Sequence, residues 1–184
     1  MAQTRRDPAA LEAWKAANEL VHWLQHATRN DPLFLLGLRR GKHPLVYSDI
    51  LLRAYQEGRE EVYLGVSRLF AHYHRAPREQ VRQQLGFGSG SMGTALARLS
   101  WTEHNPAHSR GWLYLDAFVR ARARLPWREL TKVCNTLRDR EVVAPDWREL
   151  VVDLSDWSHP RGRSGARERW FEDFHATCKN RADL

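Results

Sequence analysis

The chain has 184 residues and a formal net charge of +7, with 29 Lys and Arg against 22 Asp and Glu. At 42% apolar and 28% charged residues it can bury a core, which excludes a fully disordered protein. No apolar run is long enough to span a bilayer, residues 1–14 lack a signal-peptide stretch, and Cys134 and Cys178 alone form no disulfide framework or cysteine-based zinc site. These features predict a soluble, cytoplasmic, basic protein.

Arginine carries far more of the positive charge than lysine, with 25 residues against 4. A basic excess indicates nucleic acid, an acidic membrane surface or an acidic protein as partner. A GC-rich genome explains the arginine preference as well as function does. The functional explanation is that guanidinium binds phosphate bidentately and stacks on bases, which ammonium does not. The placement of the arginines must therefore decide between the two explanations.

Apolar residues recur in steps of three and four along almost the whole chain, and no alternating strand pattern exceeds four residues. Asp7-Pro8 and Asp31-Pro32 are helix start signals, each an N-cap residue followed by proline. Further helices are predicted over about 48–57, from 59 onward, over 92–100, and around 112–119, 127–137, 147–157 and 170–174. The fold class is therefore all-α, with eight or nine helices in two small helical bundles, 1–100 and 111–184, joined by a connector at 101–110.

Two segments between these helices are predicted to be loops. The glycine-rich stretch Gly86–Ser91 has no helix or strand pattern and is expected to be the most flexible part of the chain. The stretch Ser158–Gly165 carries Arg161 and Arg163 among a proline and two glycines, and predicts a mobile basic tip. The tryptophans mostly lie on or beside apolar stripes, which favours packing in the core over ligand binding.

Charge is sorted by segment, which codon bias alone does not explain. Residues 120–140 carry seven bases and two acids, residues 141–157 five acids and one base, and residues 161–169 four bases and one acid. A solvated face or cations at a helix C-terminus is the alternative for each cluster. The segregation favours binding to a phosphate backbone without base readout. The cations in these clusters that are candidates for that role are Arg39, Arg40 and Lys42; Arg120, Arg124, Arg128 and Lys132; and Arg161 and Arg163.

Motifs for catalysis are missing from the sequence. There is no phosphate-binding loop, no HExxH and no GxSxG, so no cofactor site is predicted. His72 and His74 are two residues apart on a predicted helix and point away from each other. His104 and His108 beside Glu103 could reach one metal ion, which leaves a metal-dependent nuclease as one alternative. A helical DNA-binding transcription regulator is the other.

Four segments, in order, resemble one family. They are Leu38-Arg39-Arg40, Ser91–Leu99, Asp146-Trp147 with Leu150, Leu154 and Trp157, and Arg169–Phe174. Over roughly residues 31–179 the chain resembles the CasB family, the small subunit of the type I-E CRISPR Cascade surveillance complex. The resemblance implies a subunit without enzyme activity or cofactor, whose basic grooves hold the displaced non-target strand and stabilise the R-loop in antiviral defence. It implies as partners a second copy of the chain, the large subunit, the backbone subunits, CRISPR RNA and target DNA.

The resemblance also carries over to individual residues. Arg39 and Arg40 match the early arginine pair of the family, and Arg98 matches the basic position at the end of the helix over 92–100. The cations between Arg120 and Lys132 fall on the family's basic helices. The loop that holds Arg161 and Arg163 is longer than in the family, so its partner is either DNA or protein.

Overall fold

The fold is known from a computed structural model of the chain. It describes residues 8–31, 33–41, 49–75, 86–101, 109–121, 124–157 and 160–182. In residues 8–10, 160–164 and 181–182 it describes the backbone alone. Within these residues the secondary structure is entirely helical, which confirms the all-α fold class.

Nine helices are found in the described residues. They are α1 (Pro8–Asn30), α2 (Phe34–Arg39), α3 (Asp49–Gln56), α4 (Glu60–Tyr73), α5 (Met92–Ser100), α6 (Arg110–Arg120), α7 (Trp127–Asp139), α8 (Trp147–Ser155) and α9 (Pro160–Ala182). Three of them begin at side-chain caps: Ser91, Ser109 and Asp146 each accept a hydrogen bond from a backbone N–H in the first turn. None of the nine is long and apolar enough to cross a membrane.

The buried apolar side chains form one contiguous core that draws on every helix from α1 to α9. Its largest fully buried members are Trp147, Trp157 and Trp170, which confirms the packing role predicted for these tryptophans. Helix α5 packs on α6 and α9, α1 packs on α8, and α4 packs on α2, α7 and α8. The division into two bundles stays a prediction, and residues 102–108 of its connector lie outside the described residues.

The glycine-rich segment Gly86–Ser91 is held in place by the residues that precede α8. Three backbone hydrogen bonds of 2.7–3.0 Å join it to residues 144–147. Gly88 adopts a φ of 82°, and a Cβ there would lie 1.9 Å from the carbonyl oxygen of Pro145. Only glycine permits this approach. The sequence pattern predicts the most flexible segment here, whereas these contacts hold its described backbone in place.

The predicted loop at 158–165 is wrong from Pro160 onward, because α9 begins there and runs through both glycines. Proline suits the first helical position, since its fixed φ matches the helix and its missing N–H has no intrahelical partner there anyway. Further along, Ala166, Trp170 and Phe174 recur every four residues and are buried. Their burial outweighs the weak helix propensity of glycine, about 1 kcal/mol per residue.

Candidate nucleic-acid interface

The site is organised by a close contact between α4 and α7. A Cβ added to Gly65 would lie 2.2 Å from the indole ring of Trp127, so only glycine lets that ring rest on the backbone of α4. The Trp127 Nε1–H donates to Glu61 Oε1 at 2.9 Å. This contact fixes the start of α7 against α4 and sets the position of Arg128, the next residue.

A groove of about 420 Å³ runs between the two helices beside this contact. Its apolar lining includes Leu64, Leu69 and the Trp127 ring. Its basic lining is Arg68, His72 and Arg128, of which the two arginines are exposed. Its one carboxylate is Glu61, which already accepts the indole hydrogen bond. The groove therefore joins an apolar interior to a cationic rim.

The end of helix α2, which carries Arg39 and Arg40, lies beside the same side of α4. Arg39 is half-buried and Arg40 is exposed at the end of α2. Burial lowers the pKa of His72, and the nearby positive charge of Arg39 lowers it further. A Cβ on Gly41 would lie 3.7 Å from Arg68 Nη2, so this guanidinium reaches the end of α2. Arginines of α2 and α4 therefore lie close together.

We call the set Arg39, Arg40, Arg68, Arg128 and Lys132 the α2–α4–α7 basic surface. Arg128 and Lys132 are one turn apart on α7 and both exposed, as their spacing from the apolar stripe predicts. No ion pair engages Arg40, Arg128 or Lys132 within the described part of the chain. These cations are therefore open to an anionic ligand.

Other candidate cations take protein partners or stand apart. Arg98 donates from Nη1 to the Ser89 carbonyl at 2.8 Å and so holds the glycine-rich segment on α5. Arg120 donates from Nε to Asp116 Oδ1 at 2.8 Å, one turn back on α6. Arg124 is exposed between α6 and α7. Lys42 and the side chains of Arg161 and Arg163 lie outside the described residues. Nucleic-acid contact by these residues stays a prediction.

Sequence reasoning missed Arg68 and His72 as members of the site. With Glu61 and Gly65 they recur at three- and four-residue spacing on α4, away from the apolar stripe. That second stripe was the available signal. It was missed because His72 was considered only as a metal ligand together with His74. His74 is in fact buried, and burial lowers its pKa to about 3.

Two acids of the stretch 141–157, Glu149 and Asp153, lie on α8 near Arg169 and Trp170 of α9. We call these four residues the α8–α9 junction. Asp153 is only 2% exposed, binds the guanidinium of Arg169, and accepts from Trp170 Nε1 at 2.6 Å. Burial, together with the carboxylates of Asp153 and Asp173, raises the pKa of Glu149 to about 7. Asp153 is thus engaged within the fold, whereas the charge of Glu149 is disfavoured by burial and by its acidic neighbours.

A metal site is not formed by the residues that the structure describes, since no three His, Cys, Asp or Glu side chains come together there. The candidate metal ligands Glu103, His104 and His108 lie outside the described residues. The guanidinium and ammonium groups of the described site can bind anions.

The chain matches the model of one protein family and is similar to solved structures. Residues 35–175 match the model of a family described as CRISPR-associated protein Cse2. The chain is similar to a solved chain described as a CRISPR RNA-guided surveillance complex, with a TM-score of 0.70 and 23% identity over 94% of this chain and 97% of that one. It is also similar to CasB from Thermobifida fusca, with a TM-score of 0.64 and 18% identity over 89% and 97% of the two chains. No curated protein matches the chain in sequence.

The family model spans most of the chain, including α4, α7 and nearly all of α2. The two solved structures share the all-helical fold over almost their whole length. The resemblance to the CasB family seen in the sequence is thereby confirmed. The chain belongs to the family of CRISPR-associated protein Cse2.

Proposed function

We propose that the chain is the non-catalytic small subunit of a type I-E CRISPR Cascade surveillance complex and binds nucleic-acid backbone without reading sequence. Its ligands are the displaced non-target DNA strand, the guide RNA and the target strand, and it stabilises the R-loop in antiviral defence. The α2–α4–α7 basic surface, in a chain of the Cse2 family, is the observation that carries this proposal.

Stabilising an R-loop requires little binding energy from the protein. An RNA–DNA heteroduplex is about as stable as the DNA duplex that it replaces, so a few backbone contacts can tip the exchange. Phosphates that bind Arg128 and Lys132 need not displace a carboxylate of the described residues, among which neither cation has an ion-pair partner. Sequence readout is unnecessary, because base pairing with the guide already supplies it.

The proposed partners are the large subunit, the backbone subunits, CRISPR RNA, target DNA and a second copy of the chain. Co-purification from the host tests this assembly. A tagged chain should bring down CRISPR RNA and a set of larger subunits. A chain that elutes alone, or that shifts one duplex sequence in preference to others, would instead favour a transcription regulator.

Paired substitutions test the backbone contacts in the assembled complex. Arg39→Ala with Arg40→Ala should leave the helical content intact and weaken R-loop formation, most strongly at low salt, because each lost phosphate contact flattens the salt dependence of binding. Arg53→Ala is the control, since Arg53 is exposed on α3 and is paired with Glu19 at 2.6 Å. Equal R-loop stability in the double variant and the control, at several salt concentrations, would overturn the proposed role.

A further inference from the structure

The groove between α4 and α7 has features that backbone binding alone does not require. An exposed cluster of cations suffices to hold phosphates. Here the cations Arg68 and Arg128 border a concave surface lined by Leu64, Leu69 and the Trp127 ring. Its volume of about 420 Å³ lies within the range of small-molecule sites, about 300–1,000 Å³.

We propose that this groove takes the base of an unpaired nucleotide, whose phosphate binds Arg68 and Arg128, an inference that rests on the proposed binding of single-stranded nucleic acid. The apolar lining suits a flat, poorly hydrated base, and the guanidinium groups at the rim suit its phosphate. The occupant is thus a nucleotide with its base turned away from the strand.

The lining also orients this occupant. Glu61 repels phosphate, so the anionic part of the nucleotide lies toward Arg68 and Arg128. One oxygen of Glu61 is engaged by the Trp127 Nε1–H, and the other can accept from an amino or imino group of the base. Thr131 donates its hydroxyl hydrogen to the Trp127 carbonyl at 2.8 Å, so it contributes no donor to the base.

A base that is paired and stacked in a duplex cannot enter the groove. The groove therefore gives the basic surface a preference for unpaired strands that the phosphate contacts alone do not provide. Stacking on aromatic side chains tolerates any base, so this preference does not depend on sequence.

Binding of two oligonucleotides to the full chain tests the inference. One is oligothymidine of about 12 nucleotides, and the other has the same length and backbone but lacks bases. The chain should bind oligothymidine about tenfold more tightly than the abasic strand. An oligonucleotide that carries 5-iodouracil should crosslink to Trp127 on irradiation.

Variants separate the groove from the backbone contacts. Leu64→Trp, which fills the groove without changing the charge, should reduce the affinity for oligothymidine to that of the abasic strand. Lys132→Gln is the control, because Lys132 lies on the basic surface outside the groove lining. It should weaken binding of both strands by the same factor and keep their ratio.

The outcomes separate the two proposals. Equal affinity of the native chain for both strands, without a crosslink to Trp127, would overturn the base-binding groove and leave the proposed backbone binding intact. Binding of neither strand would overturn the proposed function as well, and would leave the groove to a side chain of a protein partner. If Leu64→Trp does not fold, the comparison of the two strands and the crosslink still decide.

Discussion

The α8–α9 junction and the α2–α4–α7 basic surface use charge in opposite ways. In the junction the buried Asp153 binds Arg169 and the Trp170 indole, so its charge is satisfied within the fold. On the basic surface Arg128 and Lys132 are exposed and have no ion pair among the described residues. The paired charges of the junction are therefore engaged within the fold, whereas Arg128 and Lys132, which have no ion pair among the described residues, can bind a ligand.

Removal of the Asp153 carboxylate, the buried hydrogen-bond acceptor of the α8–α9 junction, should have the largest effect on the free energy of unfolding. Asp153→Ala leaves the Trp170 Nε1–H without its buried acceptor and removes the partner of the half-exposed Arg169, so we expect a loss of about 3 kcal/mol. Chemical denaturation measures the free energy of unfolding. Arg128→Ala, on the other side of the comparison, should change it by about 0.5 kcal/mol or less. Similar losses in the two variants would contradict the contrast.

The contact that builds the groove is the next target. Gly65→Ala puts a methyl group into the Trp127 ring, and we expect a net loss of about 1 kcal/mol, because overpacking exceeds the gain in helix propensity. The Trp127→Phe background removes the ring atoms that the methyl group meets. Gly65→Ala should therefore lower the free energy of unfolding by less in that background. A double-mutant cycle of unfolding free energies measures the difference. An equal loss in both backgrounds would refute the contact.

Glu149 should make the junction sensitive to pH. Its pKa is about 7 in the fold, raised by burial and by the neighbouring acids, against 4.5 for the ordinary side chain. Between these values the folded state binds more protons than the unfolded state, so this group's contribution to stability falls as the pH rises through that window. Glu149→Gln should therefore stabilise the chain at pH 8 relative to the native sequence and have little effect below about pH 4.5.

Urea midpoints at the two pH values measure this difference. Glu172→Gln, which removes an exposed carboxylate from α9, is the matched control and should have the same small effect at both. A Glu149→Gln variant that also gives equal shifts at both pH values would show that this carboxyl group does not titrate in the window.

Helix starts were predictable from sequence where local chemistry sets them. Pro8 begins α1, and the helix predicted over residues 92–100 is α5, capped by Ser91. The start of α9 was missed because local reasoning gives the glycines after Pro160 more weight than the distant burial of Trp170. Local patterns therefore fail where tertiary packing overrides propensity.

The candidate site was likewise predictable only where a local sequence pattern determines which residues are exposed. The exposed face of α7 follows from helical spacing, so the exposure of Arg128 and Lys132 could be predicted, while their binding role stays a prediction. The hydrogen bond from Arg98 to the Ser89 carbonyl was not predictable. It depends on the position of Ser89, which is set by backbone hydrogen bonds between the glycine-rich segment and residues 144–147. Arg68 was missed because its importance comes from the packing of α4 against α2 and α7, which the sequence of α4 alone does not reveal.

The most direct test of the contrast compares two pairs of cations by the salt dependence of single-strand binding. Arg128→Gln with Lys132→Gln removes two charges of the basic surface that have no ion pair in the described part of the chain. Lys15→Gln with Arg53→Gln removes two charges that are paired with Glu12 and Glu19 at 2.8 and 2.6 Å. Both double variants lower the net charge by the same amount.

The measured quantity is the slope of log affinity against log salt concentration for oligothymidine. The first pair should flatten the slope by about 0.7 for each lost phosphate contact, about 1.4 in all, while the second pair should leave the slope close to that of the native chain. Equal slopes in the two double variants would show that net charge alone governs binding, and would contradict the assignment of the α2–α4–α7 basic surface.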